Sequence, residues 1–115
     1  MLQIGPEEFD RLVADALDDL PPELAELMDN VAIFVEDQSP DEPQLLGVYD
    51  GVPLTERDSS YLLAIPDRIT IFRLPTLAIC GDAAEVCRQV QITVVHEIAH
   101  HFGIDDDRLH ELGYA

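Results

Sequence analysis

The sequence predicts a one-domain α+β fold, and three observations predict it. The first thirty residues show apolar spacing of three and four. The middle holds short β-branched runs set between breakers, and the last third carries one long helical pattern. The expected order is two N-terminal helices, a small mixed sheet of three to four strands, a long helix and a short C-terminal helix. A length of 115 residues suits a single domain over 1–115 with a modest core. A hydrophobic content of 47% belongs to a folded chain rather than a disordered one.

From Pro6 to Leu20, apolar Phe9, Leu12, Val13, Ala16, Leu17 and Leu20 share one helical face. Glu7, Glu8 and Asp10 fill the first turn, where the helix dipole favours negative charge. Pro21 and Pro22 stop this helix, and Pro22 opens a second that runs to Met28, with Leu24, Leu27 and Met28 on one side. Val31 to Glu36 is β-branched and aromatic, hence a strand. Asp37 to Pro43 is acidic, contains two prolines and reads as a surface loop. Leu45 to Tyr49 is a second short strand, and Asp50-Gly51 signals a turn. The stretch 52–66 is irregular between Pro53 and Pro66. Arg68 to Leu74 alternates as a third strand, which Pro75 is expected to end.

Asp82 is a good N-cap, and Glu85 three residues on completes a capping-box pattern. The long helix should therefore run from Ala83 to Phe102. Ala83, Val86, Cys87, Val90, Val94 and Ile98 form its core stripe. Glu85, Gln89, Thr93, His96 and His100 form a second line, expected to border a cleft. The tail from Asp105 to Tyr114 reads as a short helix capped by Asp105, Asp106 or Asp107.

The long helix carries the chemistry. His96-Glu97-Ile98-Ala99-His100 is H-E-x-x-H, followed by x-x-G-x-x-D through Gly103 and Asp106. Residues four apart on a helix stack on one face, so His96 and His100 can offer two imidazoles to one metal ion. Glu97 points about 100° away round the helix, beside the metal, where it can take a proton from an activated water. Gly103 can adopt the positive φ that ends a helix, letting the chain turn and bring Asp106 back as third ligand. Asp105, Asp107, His110 and Glu111 are its neighbours within reach. Three protein ligands with an open fourth position define a catalytic zinc site. Iron competes for a set of two His and one carboxylate, but the adjacent Glu97 favours zinc hydrolysis.

His96, Glu97, His100, Gly103 and Asp106 resemble the extended motif of zincin metallopeptidases, in the variant with Asp as third ligand. With the stretch Gly47 to Arg57, the short chain resembles a bacterial family of minimal zincin-like metallopeptidases. That resemblance implies a minimal zincin-like fold, a Zn2+ cofactor and peptide hydrolysis, with a sheet edge beside the cleft for an extended peptide; Arg68 to Leu74, just before the long helix, is the candidate for that edge, with an interior position as the alternative. Two features of better-known zincins are absent. No Met follows the motif to form a Met-turn, since the methionines are Met1 and Met28, and no distant downstream Glu can serve as third ligand. These absences bear on proteolysis more than on metal binding.

Other residues take plainer roles. His101 lies one step off the metal face and is expected beside the site or at the surface. Tyr114 is expected in a packed or frayed terminus, with oxyanion stabilisation as the bolder alternative. Arg57 is expected in a surface ion pair, with a substrate clamp as the alternative. Cys80 and Cys87 are expected as buried thiols.

The net charge is -18, with 24 acidic residues against six arginines and no lysine. Nucleic acid and anionic membrane surfaces are thereby disfavoured as partners. Peptide or protein substrates, especially basic ones, would be attracted. The N-terminus lacks the basic and apolar regions of a signal peptide, and no apolar run approaches a bilayer span, so a cytoplasmic location is expected. The alternative to a peptidase is a metal-binding interaction module that keeps the scaffold and turns over little.

Overall fold

The computed structural model describes residues 2–51 and 66–114. The elements are α1 (Pro6–Asp18), α2 (Pro22–Leu27), β1 (Val31–Glu36), β2 (Gly47–Asp50), β3 (Asp67–Phe72), α3 (Arg73–Ile79), α4 (Ala83–Phe102) and α5 (Asp106–Glu111). The architecture is α+β, as expected from the sequence, with a small mixed sheet; the described residues hold five helices, of which α3 is not among the four expected.

Helix α1 opens with a proline, whose missing N–H costs nothing at a helix start, and buries Phe9, Val13 and Ala16. It packs along α4. Helix α4 answers with Val86, Val90, Val94 and Ile98, all fully buried. Together with Leu24, Ile69, Ile71 and Leu77 these side chains make one core cluster, between the helices and the sheet. Ala83, expected in the stripe, is exposed in the first turn of α4.

The sheet has the order β1-β3-β2. β3 runs parallel to β1, with Ile33 opposite Ile69, and antiparallel to β2, with Tyr49 opposite Ile69. The strand expected as a sheet edge is therefore the central one. Its burial gives the reason: Ile69, Thr70, Ile71 and Phe72 are consecutive and all buried, so both faces are covered. Among the described residues, β2 is the edge strand beside α4.

The third strand also stops earlier than expected. Arg73 and Leu74 belong to α3, and Pro75 is the third residue of that helix rather than the end of a strand. In a first helical turn the proline lacks only an N–H that would have no intrahelical partner. Thr76 donates its hydroxyl to the Phe72 carbonyl at 2.8 Å, tying the new helix to the strand end. Arg73 bonds the Ile4 carbonyl and Asp37, which fixes the corner.

Helix α4 begins as its sequence demands. Asp82 accepts from the Glu85 N–H at 2.9 Å, and the Glu85 carboxylate reaches back to the Gly81 N–H at 2.7 Å. It ends at Gly103, with φ of 70°, and the Ile104 N–H closes on the Ala99 carbonyl. No helix among the described residues is long and apolar enough to cross a membrane.

Gly47 sets the spacing between β2 and α4. A Cβ there would stand 2.7 Å from Thr93 Cγ2 and 3.1 Å from the Thr70 carbonyl oxygen. Gly47→Ala is expected to lose about 1–3 kcal/mol by overpacking. Urea denaturation measures this, and adding Thr93→Ser, which removes Cγ2, should restore part of the loss.

Candidate metal centre

His96 and His100 stand a turn apart on α4, with ring centroids 6.4 Å apart and planes tilted by 42°. Both rings and Glu97 line an open cleft of about 360 Å³, whose other wall is the chain from Leu45 to Gly47 leading into β2. Grooves of similar volume lie elsewhere on the surface, so chemistry rather than size singles this one out. Gln89 and Thr93 continue the same helix face, as expected, but they are not equivalent. Thr93 is buried beneath Gly47 and serves the packing of β2, while Gln89 is half-buried at the cleft.

Glu97 is held in place by the edge strand. Its Oε1 accepts from the Tyr49 N–H at 3.0 Å. Tyr49 is anchored in turn, because its hydroxyl donates to Asp67 at 2.8 Å and its ring stacks on His101 at 4.0 Å. His101 Nε2 lies 3.7 Å from the same Asp67 carboxylate. His101 therefore sits beside the site rather than in it, wedging β2 against the end of α4. No local pattern points to Tyr49 or Asp67, since their partners lie 48 and 18 residues away.

His96 makes a contact that the motif does not foretell. Its Nε2 lies 2.7 Å from the carbonyl oxygen of Tyr114. A carbonyl only accepts, so Nε2 carries the proton in this arrangement. The Tyr114 side chain is packed, at 6% exposure, under the Arg88 guanidinium. Of the packed and frayed alternatives for Tyr114, the structure has the packed one.

Asp106 is the first residue of α5 and exposed, and its neighbour Asp105 is the cap, accepting from the Arg108 N–H at 2.8 Å. Among the described residues, no three His, Cys, Asp or Glu side chains gather in a metal-holding group. The structure thus brings His96, His100 and Glu97 to one cleft and does not bring Asp106 to them. Arg57 lies outside the described residues.

The donor chemistry suits zinc: two imidazoles one helical turn apart and carboxylates nearby. With bonds of about 2.0–2.1 Å, each ring centroid would lie roughly 3 Å from an ion, so a tetrahedral pair needs the rings about 1 Å closer. That is a side-chain adjustment. Seating Asp106 is larger, because α5 is anchored by its own cap and by Arg108, which pairs with Glu23 of α2.

The cysteines are not donors in waiting. Burial, then Glu85 and Asp82, push the Cys80 thiol up, and burial, then Asp15 and Asp19, do the same for Cys87. Both are free, and Cys87 donates to the Leu12 carbonyl. Iodoacetamide at pH 8 should alkylate them more slowly than free cysteine, because less thiolate is present. A mass-spectrometric time course checks this.

Residues 28–114 match the model of the zincin-like metallopeptidase family, and the chain belongs to that family. Its backbone also resembles that of a conserved hypothetical protein from T. thermophilus, with a TM-score of 0.56 at 23% identity. The match covers 86% of this chain and 94% of that one, and it speaks for the fold. No curated protein matches significantly.

Proposed function

We propose that the chain is a zinc-dependent peptidase, with His96, His100 and Asp106 as ligands and Glu97 as general base. One observation carries the reading: in a member of this family, both motif histidines and Glu97 line a single cleft walled by an edge strand. A zinc ion there supplies Lewis acidity. The chain's residues do the rest. Glu97 Oε1 is engaged by Tyr49, so Oε2 is the oxygen left to take a proton from the attacking water and return it to the leaving amine. The substrate is an extended peptide or protein segment, aligned along β2. The cleft volume of about 360 Å³ admits one or two side chains and supports little specificity beyond that. With a net charge of -18, cationic substrates are drawn in fastest, in a cytoplasmic setting without nucleic-acid or membrane partners.

Elemental analysis of the purified protein comes first, followed by peptide hydrolysis that is lost with chelator and restored by zinc. Activity indifferent to chelator would sink the reading. Two neighbouring acids separate ligand from cap. Asp106→Asn is expected to weaken zinc binding with little change in stability. Asp105→Ala should leave zinc binding alone and cost about 1 kcal/mol through the lost N-cap. Zinc titration and thermal melts distinguish them.

The alternative of a metal-binding interaction module also has an observation on its side. His96 Nε2 faces a backbone carbonyl and no third donor is gathered among the described residues, which suits a scaffold with slow turnover. Zinc bound stoichiometrically without hydrolysis of any peptide in a diverse mixture would favour it.

A further inference from the structure

We propose that the Gly113–Tyr114 turn is a built-in competitor for the metal: the Tyr114 carbonyl and a divalent cation contend for one nitrogen, His96 Nε2. The proposal rests on the reading of His96 and His100 as metal ligands.

The contact is constructed rather than incidental. The Tyr114 N–H donates to the Leu109 carbonyl at 2.9 Å, and the Gly113 N–H to the His110 carbonyl at 3.0 Å. Gly113 bends the chain with φ of 88°, in the region where a side chain is strained. Arg88, two turns before His96 on α4, then clamps the bend. Its Nη2 donates to the Gly113 carbonyl at 2.6 Å, and its guanidinium lies 4.9 Å from the centre of the Tyr114 ring. The Tyr114 side chain is buried. The carbonyl is therefore aimed at His96 by several independent contacts.

One nitrogen cannot serve both partners. While Nε2 donates its proton to Tyr114, it has no lone pair for a cation. With the oxygen 2.7 Å away and a zinc bond of about 2.0–2.1 Å, the ion and the carbonyl would also crowd the same space. The turn does more than cover His96. Through Leu109 and His110 it is bonded to α5, the helix that begins at Asp106. Docking of the turn thus occupies one proposed ligand and adds to the hold of Arg108 and Glu23 on the element carrying another; its release frees His96 and removes that added hold.

The test uses the intact chain, Arg88→Met and His96→Ala, each titrated calorimetrically with zinc chloride at one fixed pH. Methionine keeps an apolar stem against Tyr114 while losing both guanidinium contacts, and position 88 is exposed, so the fold should survive. Arg88→Met is expected to bind zinc about fivefold or more tightly than the intact chain, and His96→Ala to lose that binding. By reciprocity, zinc should accelerate hydrogen exchange of the Tyr114 amide in the intact chain, a measurement that stands even if Arg88→Met folds poorly. Unchanged affinity in a folded Arg88→Met, or an unchanged Tyr114 exchange rate, overturns the competition. Weaker binding overturns it too, and makes the carbonyl an outer partner that steadies His96 while Nδ1 meets the ion. Zinc binding that survives in His96→Ala removes the centre itself, and the proposal with it.

Discussion

Glu97→Gln is expected to lower peptide hydrolysis by roughly 10²–10⁴-fold and to leave zinc content unchanged. Glutamine is the informative replacement because of what Glu97 already does in the structure. Its Oε1 accepts from the Tyr49 N–H and so helps hold β2 beside α4. A glutamine oxygen can still accept that bond, so the cleft wall stays in place while the proton acceptor is lost. Glu97→Ala would remove both at once and confuse a catalytic loss with a displaced strand. Steady-state turnover on a cationic peptide, with zinc measured on the same sample, decides the matter. Wild-type rates in the glutamine variant would remove Glu97 from the chemistry.

His100→Ala is expected to weaken zinc binding by at least about 10²-fold, since losing a direct ligand should cost no less than losing an outer partner. Stability should barely change, because the His100 side chain is exposed and no protein hydrogen bond holds it among the described residues. His96→Ala should lose zinc equally and also release the Tyr114 carbonyl, so its melting temperature should fall further than that of His100→Ala. Calorimetric titration and thermal melts on the pair check both statements. Equal melting temperatures would mean that the His96–Tyr114 contact adds nothing to stability.

Residue order is legible where neighbours in the chain decide the outcome. Helix α4 runs from Ala83 to Phe102 as expected, because its start rests on Asp82 and Glu85, three residues apart, and its end on the left-handed Gly103. Strand β1 likewise matches, from its β-branched run. The placement of His96, Glu97 and His100 on adjoining faces follows from helical geometry alone. The differences concern partners distant in sequence. Arg68–Leu74 is the candidate for the sheet edge, yet β3 lies between β1 and β2 with both faces covered. Pro75 reads as a stop, but a proline both ends strands and opens helices, and the corner made by Arg73, Asp37 and Ile4, with the Thr76–Phe72 bond, goes with the second role. At the centre, the anchoring of Glu97 by Tyr49 and of His96 by Tyr114 depends on tertiary packing that no spacing rule encodes.

The strand order has a consequence for synthesis. β1 and β2 are not neighbours in the sheet, and each bonds to β3, which leaves the ribosome after both. Until Asp67–Phe72 has emerged, the nascent chain holds two strands without their native partner, and their backbone groups are open to association with other chains. Assembly of the sheet is therefore delayed until Phe72 has emerged, and α4, with the histidines, follows after α3. A ribosome-bound fragment ending before Asp67 should be protease-sensitive throughout, and one extended past Phe102 should acquire resistance in a single step.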